Sequence, residues 1–332
     1  MPLLDLRSLT VELPTPTGWV RPVQDVSLQI APGESLGLVG ESGSGKTMLS
    51  LALMGLLPPG SRVSGEAWFE VAQALLSVPS ASSTNHRVNL LSLSSDALRS
   101  LRGRALSMVF QEPMTALNPV LRVGAQIEEA VRAHEPHLSR EEVRRRTLAA
   151  LERAAVPEPA LRARQFPHQL SGGLRQRALI AMALTGSPRL LIADEPTTAL
   201  DVTVQKQILD LLARLQRELG LALLFITHDL GVVAQVASRL AVLYAGRIVE
   251  EGPAMEILTR PRHPYTAGLL AASPSLRRKQ LVPIPGAVPR LDALPPGCAF
   301  EPRCPLRRPE CSASLPDLRA ASPSHSSRCI LV

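Results

Sequence analysis

Residues 40–47 read Gly-Glu-Ser-Gly-Ser-Gly-Lys-Thr, and they follow directly on the apolar run Ser-Leu-Gly-Leu-Val at residues 35–39. The stretch matches G-x-x-x-x-G-K-[ST], in which glycines let the backbone curl so that successive N–H groups face phosphate oxygens. A helix that begins at the loop presents its positive end to the same phosphates. The alternative is a glycine-rich turn that matches by chance, but the strand before it and the helical pattern after it favour a phosphate-binding loop in an α/β fold.

The charged end of this loop predicts its chemistry. The Lys46 ammonium group is expected to contact the β- and γ-phosphates of a nucleotide, and the Thr47 hydroxyl to ligate Mg²⁺. Lys46 is one of only three lysines in a chain with 33 arginines, which fits a site that needs the compact ammonium group. The predicted phosphate-binding residues are Gly40, Glu41, Ser42, Gly43, Ser44, Gly45, Lys46 and Thr47.

A second buried strand is predicted to end in two acids, because residues 190–195 read Leu-Leu-Ile-Ala-Asp-Glu. The carboxyl ends of strands are where ligands bind in open parallel sheets. Asp194 is expected to hold Mg²⁺, directly or through water, and Glu195 to polarise the water that attacks the γ-phosphate. A strand that ends in Asp-Glu is a weak signal alone and a strong one downstream of a phosphate loop.

A second anion-binding turn is predicted at residues 170–177, which read Leu-Ser-Gly-Gly-Leu-Arg-Gln-Arg. A Ser-Gly-Gly turn that opens a helix directs backbone N–H groups at a ligand. In isolation an ordinary capped helix explains the pattern equally well. Since the chain already contains one phosphate loop, a second turn would serve a nucleotide held by another subunit.

Together these segments resemble the ATP-binding subunits of ABC transporters, whose LSGGxxQR signature matches residues 170–177. Three further motifs follow the order of that family. Gln111 matches the Q-loop, residues 199–201 match the D-loop, and His228 matches the switch histidine. The resemblance covers residues 3–255 and implies a P-loop ATPase cassette: a RecA-like α/β core, a β-subdomain and an inserted helical subdomain.

The resemblance also implies roles for individual residues. Gln111 would sense Mg²⁺ and the γ-phosphate, and His228 would contact the γ-phosphate, so that Glu195, His228 and Gln111 form the expected catalytic set. Trp19 is the nearest candidate for the aromatic ring that stacks on adenine, although an exposed loop residue is an equal alternative. The further nucleotide-binding residues are Asp194, Trp19, Ser171, Gly172, Gly173 and Asp201, with Mg²⁺ at Thr47, Gln111 and Asp194.

A narrower resemblance comes from the Q-loop string at residues 110–119 and from Arg-His-Pro-Tyr-Thr at residues 262–266. Both resemble the dipeptide and oligopeptide importer subgroup, which includes nickel and glutathione importers. We therefore expect a nucleotide-binding domain at residues 1–255, with its helical subdomain at about 113–175, and a small, irregular C-terminal extension at 256–332 that packs outside it. Dense prolines beyond residue 260 exclude long helices there. Residues 70–95 are expected to form a surface loop.

All four cysteines lie near the C-terminus. A disulfide framework is disfavoured in a cytosolic chain, so their clustering indicates metal or cluster ligation. The spacing lacks the close C-x₂₋₄-C pairs of structural zinc sites. The subgroup resemblance favours a 4Fe–4S cluster; Zn²⁺ and a metal-free tail remain alternatives. The expected ligands are Cys298, Cys304, Cys311 and Cys329.

Composition limits the partners. The 332 residues carry a net charge of +7, a weak hint of an anionic partner that a preference for arginine codons explains as well. Aromatic residues make up only 3%, which argues against base-stacking surfaces, and no apolar run approaches the ~18 residues of a membrane span. The N-terminus lacks the layout of a signal peptide.

The expected function is ATP hydrolysis that drives import of di- or oligopeptides. The alternative is a soluble ABC ATPase that acts on nucleic acid or ribosomes. The resemblance implies two transmembrane permease subunits, an extracytoplasmic solute-binding protein as an indirect partner, and no nucleic acid. One phosphate loop and one signature imply a second ATPase subunit, related or identical. Such a chain would lie peripherally on the cytoplasmic face of the inner membrane.

Overall fold

The computed structural model describes residues 1–16, 18–71, 86–111, 116–273 and 281–332. The chain divides into two compact units: the first comprises residues 1–70, 87–92 and 225–332, and the second comprises 71–86 and 93–224. Within the described ranges, no helix combines the length and apolar character that a bilayer crossing requires.

The first unit contains a four-stranded sheet with the order β2-β1-β4-β5. Strands β1 and β2 are long and antiparallel, and their register shifts three times between Leu6 and Leu13. Ser8 and Asp25 adopt positive φ along these irregularities, as expected for bulges that twist a long ribbon. The strands are β1 (Leu4–Thr15), β2 (Gly18–Ile30), β4 (Arg62–Val71) and β5 (His86–Asn89).

The second sheet of the first unit has the order β11-β12-β10-β9-β3. Its strands are β3 (Ser35–Val39), β9 (Arg239–Tyr244), β10 (Arg247–Pro253), β11 (Arg319–Ser322) and β12 (His325–Ser327). Strand β3 is buried throughout and pairs in parallel with β9. Strands β9 and β10 form the hairpin that the sequence predicts, and Ala245 and Gly246 turn it with the positive φ angles that such tight turns require.

The C-terminal extension is more regular than the sequence predicts. Strand β12 pairs with β10, and β11 pairs with β12, so the extension adds two short strands to the sheet that contains β3. Pro323 lies in the turn between them, where its missing N–H costs no ladder hydrogen bond. The proline-rich residues 281–300 form neither helix nor strand. The helices of this unit are α1 (Lys46–Met54), α8 (Leu230–Val233), α9 (Ala254–Thr259), α10 (Pro264–Ala272) and α11 (Glu310–Ala313).

The second unit is mainly helical around two parallel buried strands, β6 (Leu106–Val109) and β7 (Leu190–Asp194). The Ser139 hydroxyl caps the longest helix before the signature segment, as its spacing predicts, by accepting from the Glu142 N–H at 3.2 Å. Strand β8 (Ala222–Thr227) begins in this unit and ends in the first. The helices are α2 (Ser95–Leu101), α3 (Val123–His134), α4 (Arg140–Arg153), α5 (Pro159–Arg162), α6 (Gly172–Ala183) and α7 (Val202–Leu219).

The predicted strands at 35–39, 106–110, 190–193 and 221–226 and the predicted helix at 203–219 are confirmed to within one residue at each end. The predicted loop at 70–95 is only partly described, because residues 72–85 lie outside the described ranges. Its later part is ordered as β5, a 3₁₀ turn at Leu90–Ser92 and the start of α2, so the expectation of a continuous loop is wrong there.

Candidate functional site

Residues 40–47 connect β3 to α1 in the first unit, and two of their glycines are required by the space around them. Gly45 has φ +107°, and a Cβ there would lie 1.9 Å from the carbonyl oxygen of Pro22 on β2. A Cβ on Gly40 would lie 2.2 Å from the Leu243 carbonyl oxygen. The loop therefore passes so close to two neighbouring backbones that a side chain is excluded at Gly40 and at Gly45.

The β9–β10 turn supports the same loop. The Gly246 N–H donates to the Ser44 carbonyl at 2.9 Å, and the Gln24 N–H of β2 donates to the Gly246 carbonyl at 2.8 Å. Since these are backbone contacts between strands of one unit, the loop is held by the sheets themselves.

Lys46 lies at the start of α1 and is 5% exposed. Its Nζ donates to the carbonyl oxygens of Gly40 at 2.7 Å and Glu41 at 2.9 Å. The ammonium group is thus held across the mouth of the loop. Ser42 and Gly43 are exposed at the tip. A buried cation beside a loop at a helix N-terminus suits a polyphosphate.

His228 directly follows β8 in the first unit, and it is exposed. The next residue, Asp229, accepts from the Gly231 N–H at 2.8 Å and caps α8. The cap fixes the chain direction just after the histidine, as expected for an Asx turn at a helix start.

In the second unit, the structure brings together two of the predicted catalytic residues. Glu195 follows β7, and its Oε2 accepts from Gln111 Nε2 at 3.2 Å. The same oxygen accepts from the Thr198 hydroxyl at 2.9 Å. Sequence analysis assigned no role to Thr198, although its spacing of three residues from Glu195 was a usable signal.

Glu195 has φ +45°, in the left-handed region that a non-glycine residue rarely adopts. Such a conformation costs ~1–3 kcal/mol and is found where surrounding contacts fix it. The preceding Asp194 ends β7 and is 1% exposed. The chain thus places one buried and one partly exposed carboxylate at the end of a single strand.

The signature segment opens α6 as predicted. The Ser171 hydroxyl caps the helix by accepting from the Leu174 N–H at 3.4 Å, and Ser171 itself is exposed. A Cβ on Gly173 would lie 2.5 Å from the Val204 side chain of α7, so only glycine lets the two helices approach this closely. Asp201 caps α7 through the Val204 N–H at 2.9 Å and is also exposed. The signature and D-loop motifs are therefore neighbours in the second unit.

Trp19, the predicted adenine-stacking residue, lies at the start of β2 and is 41% exposed. The guanidinium carbon of Arg62 lies 3.9 Å from the ring centroid, so one face of the indole already has a cationic partner.

The extension is anchored around a buried carboxylate. Glu250 of β10 is fully buried and accepts from the N–H groups of Arg262 at 2.6 Å and His263 at 3.0 Å. His325 Nε2 on β12 lies 2.7 Å from the same carboxylate. Burial lowers the pKa of His263 to about 4, so its imidazole is neutral, and its Nδ1 accepts from the Tyr265 N–H at the start of α10.

The four cysteines are free, and Cys311 and Cys329 are buried. Burial raises the pKa of the Cys298 thiol, and proximity to Cys311, Cys329 and Cys304 raises it further. The cysteines therefore share one electrostatic environment. However, the structure gives the predicted cluster no support as a metal centre: within the described ranges, no group of three or more His, Cys, Asp or Glu residues is arranged to hold a metal ion.

Two family models match the chain. Residues 23–198, more than half of it, match the family described as ABC transporter. Residues 249–311 match the family described as oligopeptide/dipeptide transporter, C-terminal region.

The chain is similar to curated proteins over nearly its whole length. It is 48% identical over 337 residues to a Brucella ovis protein provisionally named a peptide import ATP-binding protein, covering 99% of this chain and 97% of that protein. It is 45% identical over 332 residues to the oligopeptide transport ATP-binding protein OppD of Mycobacterium bovis, covering 99% of this chain and 52% of the relative.

Solved structures agree with these similarities. The dimeric, post-hydrolysis form of the ATP-binding cassette MJ0796 bound to ADP and Pi is similar with a TM-score of 0.63 and 28% identity, covering 76% of this chain and 98% of that one. CbiO1 from Clostridium perfringens, part of the ABC transporter complex cbiONQ, is similar with a TM-score of 0.62 and 25% identity, covering 78% of this chain and 91% of that one.

Proposed function

Because the chain belongs to the ABC transporter family of ATP-binding proteins, we propose that it is the ATP-hydrolysing subunit that drives a multi-subunit importer of di- or oligopeptides. The observation that carries the substrate class is the match of residues 249–311 to the C-terminal region of oligopeptide and dipeptide transporters. That match, with the peptide-import and OppD relatives, favours transport over action on nucleic acid or ribosomes.

The chain's own residues fit Mg·ATP. The loop backbone at residues 40–47, which approaches β9 closely at Gly40 and β2 closely at Gly45, would cradle the phosphates, and Lys46 would exchange its two carbonyl acceptors for phosphate oxygens. The Thr47 hydroxyl and the Asp194 carboxylate, with the Gln111 amide oxygen, are the oxygen donors that Mg²⁺ prefers. Bound Mg²⁺ would neutralise charge on the β- and γ-phosphates.

Glu195 would act as the general base that polarises the attacking water. Gln111 and Thr198 both donate to its Oε2, and these two hydrogen bonds orient the carboxylate. His228 would contact the γ-phosphate, and its exposure and its capped neighbour Asp229 are compatible with that role.

Adenine would stack on Trp19. The residue stands three positions before Pro22, whose carbonyl lies against Gly45 of the phosphate loop, so at ~3.3 Å per strand residue the Trp19 backbone lies roughly 10 Å along β2 from that contact. Arg62 covers one face of the ring, and the base would take the other.

A second ATPase subunit would complete the machinery. Ser171, at the exposed N-terminus of α6, and Asp201, at the exposed N-terminus of α7, lie near each other, because Gly172 and Gly173 of α6 pack against Leu200 and Val204. Such a pair of helix N-termini would face the γ-phosphate of a nucleotide bound by the partner subunit.

The remaining partners would be two permease subunits, with an extracytoplasmic solute-binding protein acting through them. Residues 111–119 would contact the permeases, although residues 112–115 lie outside the described ranges. The chain would then sit peripherally at the cytoplasmic face of the inner membrane.

The four cysteines would hold a 4Fe–4S cluster, with Zn²⁺ as the alternative. What supports this is their proximity: the Cys298 N–H donates to the Cys311 carbonyl at 2.8 Å, and Cys304 and Cys329 lie close enough to Cys311 for its charge to affect their pKa values. The thiols would have to rearrange to reach ligand geometry, since the described residues form no such group.

The proposal is tested with the complete transporter in proteoliposomes, comparing ATP hydrolysis and uptake for oligopeptides, glutathione and Ni²⁺ delivered with the solute-binding protein. Peptide should stimulate both activities, and Lys46→Ala should abolish both. Stimulation by glutathione or Ni²⁺ but not by peptide would overturn the substrate class, and the absence of any ATP hydrolysis would overturn the function.

A further inference from the structure

The C-terminal extension contacts two loops that sequence motifs identify as nucleotide-handling, and all the residues concerned lie in the first unit. The contacts involve Tyr265, Arg303 and Ser273 of the extension. Sequence analysis gave these three residues no chemical role.

The first contact is made to Glu41, the second residue of the phosphate loop. Its backbone N–H donates to the Tyr265 hydroxyl at 2.8 Å. Its carboxylate forms a two-point ion pair with Arg303, with Nη1–Oε2 at 2.7 Å and Nη2–Oε1 at 3.0 Å. Its carbonyl accepts from Lys46. Three groups of one loop residue are thus held, two of them by the extension.

The side chains that hold Glu41 are themselves fixed. Tyr265 is fully buried, and its ring packs on Tyr244 at 4.4 Å and on Phe300 at 5.3 Å between centroids. Burial raises the pKa of Tyr265, so its hydroxyl stays neutral. The Arg303 side chain is 5% exposed, and its Nε donates to the Pro285 carbonyl at 3.0 Å. Locked side chains of this kind hold a loop in one geometry.

The second contact lies at the other end of α10. The Ser273 hydroxyl donates to Asp229 Oδ1 at 2.9 Å, and the same oxygen caps α8 through the Gly231 N–H. Asp229 is the residue after His228. One nine-residue helix therefore contacts the phosphate loop near its start and the switch-histidine loop at its end.

We propose that the extension is a positioning element for nucleotide binding, in which Tyr265 and Arg303 hold the phosphate loop in its receptive shape while Ser273 holds the loop that carries His228. This inference rests on the proposed ATPase function. A loop that is already ordered loses less conformational entropy when it binds its ligand. Loosening it therefore weakens ATP binding more than it slows hydrolysis at saturating ATP.

The test uses the full-length protein and Mg²⁺ with a non-hydrolysable ATP analogue, measured by calorimetry. Tyr265→Phe removes one hydroxyl and keeps the ring, and it should weaken binding about five-fold, which equals about 1 kcal/mol. Thr259→Val is the control for loss of a hydroxyl in the same unit, because the Thr259 hydroxyl donates to the Met255 carbonyl of α9 at 2.6 Å and not to Glu41 or Arg303. It should bind the analogue as the wild type does.

A double-mutant cycle tests the ion pair. Arg303→Gln and Glu41→Gln should each weaken binding, and the double variant should be no weaker than the worse single one, because both remove the same contact. In the assembled transporter, Tyr265→Phe and Arg303→Gln should raise the KM for ATP with kcat changed by less than about two-fold.

Three outcomes overturn the inference. The first is that Tyr265→Phe or Arg303→Gln lowers the melting temperature but binds the analogue with wild-type affinity. The second is that the effects of Arg303→Gln and Glu41→Gln on binding are additive, and the third is that the variants lower kcat without changing the KM for ATP. If Tyr265→Phe does not fold, the cycle decides the question. A wild-type protein that neither binds nor hydrolyses ATP would instead refute the proposed function, which keeps the two failures distinct.

Discussion

Thr198→Val is the sharpest perturbation of the proposed hydrolytic residues, because it replaces one hydroxyl with a methyl group of similar size. The lost contact is the 2.9 Å hydrogen bond to Glu195 Oε2. Hydrogen bonds to charged groups are worth ~1.5–3 kcal/mol, and the Gln111 contact at 3.2 Å remains to orient the carboxylate. If about half of that energy is realised in the transition state, kcat should fall roughly 4- to 12-fold.

The assay is steady-state ATP hydrolysis by the assembled transporter at several ATP concentrations. The KM for ATP should change little, because Thr198 contacts only Glu195 among the predicted functional residues. Thr185→Val is the control for the same chemical change, because the Thr185 hydroxyl donates to the Met182 carbonyl at 2.8 Å and not to a predicted functional residue, and it should leave both constants unaltered. A wild-type kcat in Thr198→Val would show that the hydroxyl does not position the base.

Three further predictions concern the extension and the permease contact. His263→Asn should keep the cap on α10 but flatten the pH dependence of stability. Burial lowers the pKa of His263 to about 4, so between pH 7 and pH 5 this histidine becomes protonated in the unfolded chain but stays neutral in the folded chain. The free energy of unfolding of the wild type, measured by urea titration, should therefore drop by about 2 kcal/mol over this range. An equal drop in the wild type and in His263→Asn would contradict this prediction. Anaerobically purified protein should be brown and contain iron and sulfide in near-equal amounts, and Cys304→Ser should lose the colour but still bind ATP. A content of one zinc per chain, or of no metal, would contradict the proposed iron–sulfur cluster. Ala116→Cys should crosslink to a permease in the intact complex, and no crosslink at all would count against that interface.

The cassette was predictable from sequence because its signals are local. Gly40 and Gly45 are dictated by backbones that pass within 2.2 Å of a Cβ position, and the apolar run before them forms a buried strand. The contact between Gln111 and Glu195 was implied only by the family resemblance, since no spacing rule joins two strand ends so far apart in the chain.

The role of the extension could not be predicted because it depends on distant pairs. Arg303 and Glu41 are separated by 262 residues, and neither has a neighbour that predicts the other. Strands β11 and β12 are too short to show periodicity, and their pairing depends on the buried Glu250 and on His325. For the four cysteines, clustering in the sequence predicted that they lie close together in the fold. Sequence spacing does not determine whether their thiols are arranged to bind one metal.

Glu195→Gln tests the central claim, which is ATP hydrolysis by this chain with Glu195 as the base. The measurement is ATP turnover by the assembled transporter alongside equilibrium ATP binding. Turnover should fall by ~10²–10⁴-fold, since general-base assistance is worth that much, while binding is retained and an ATP-bound dimer accumulates. Near-normal turnover in Glu195→Gln would contradict the account.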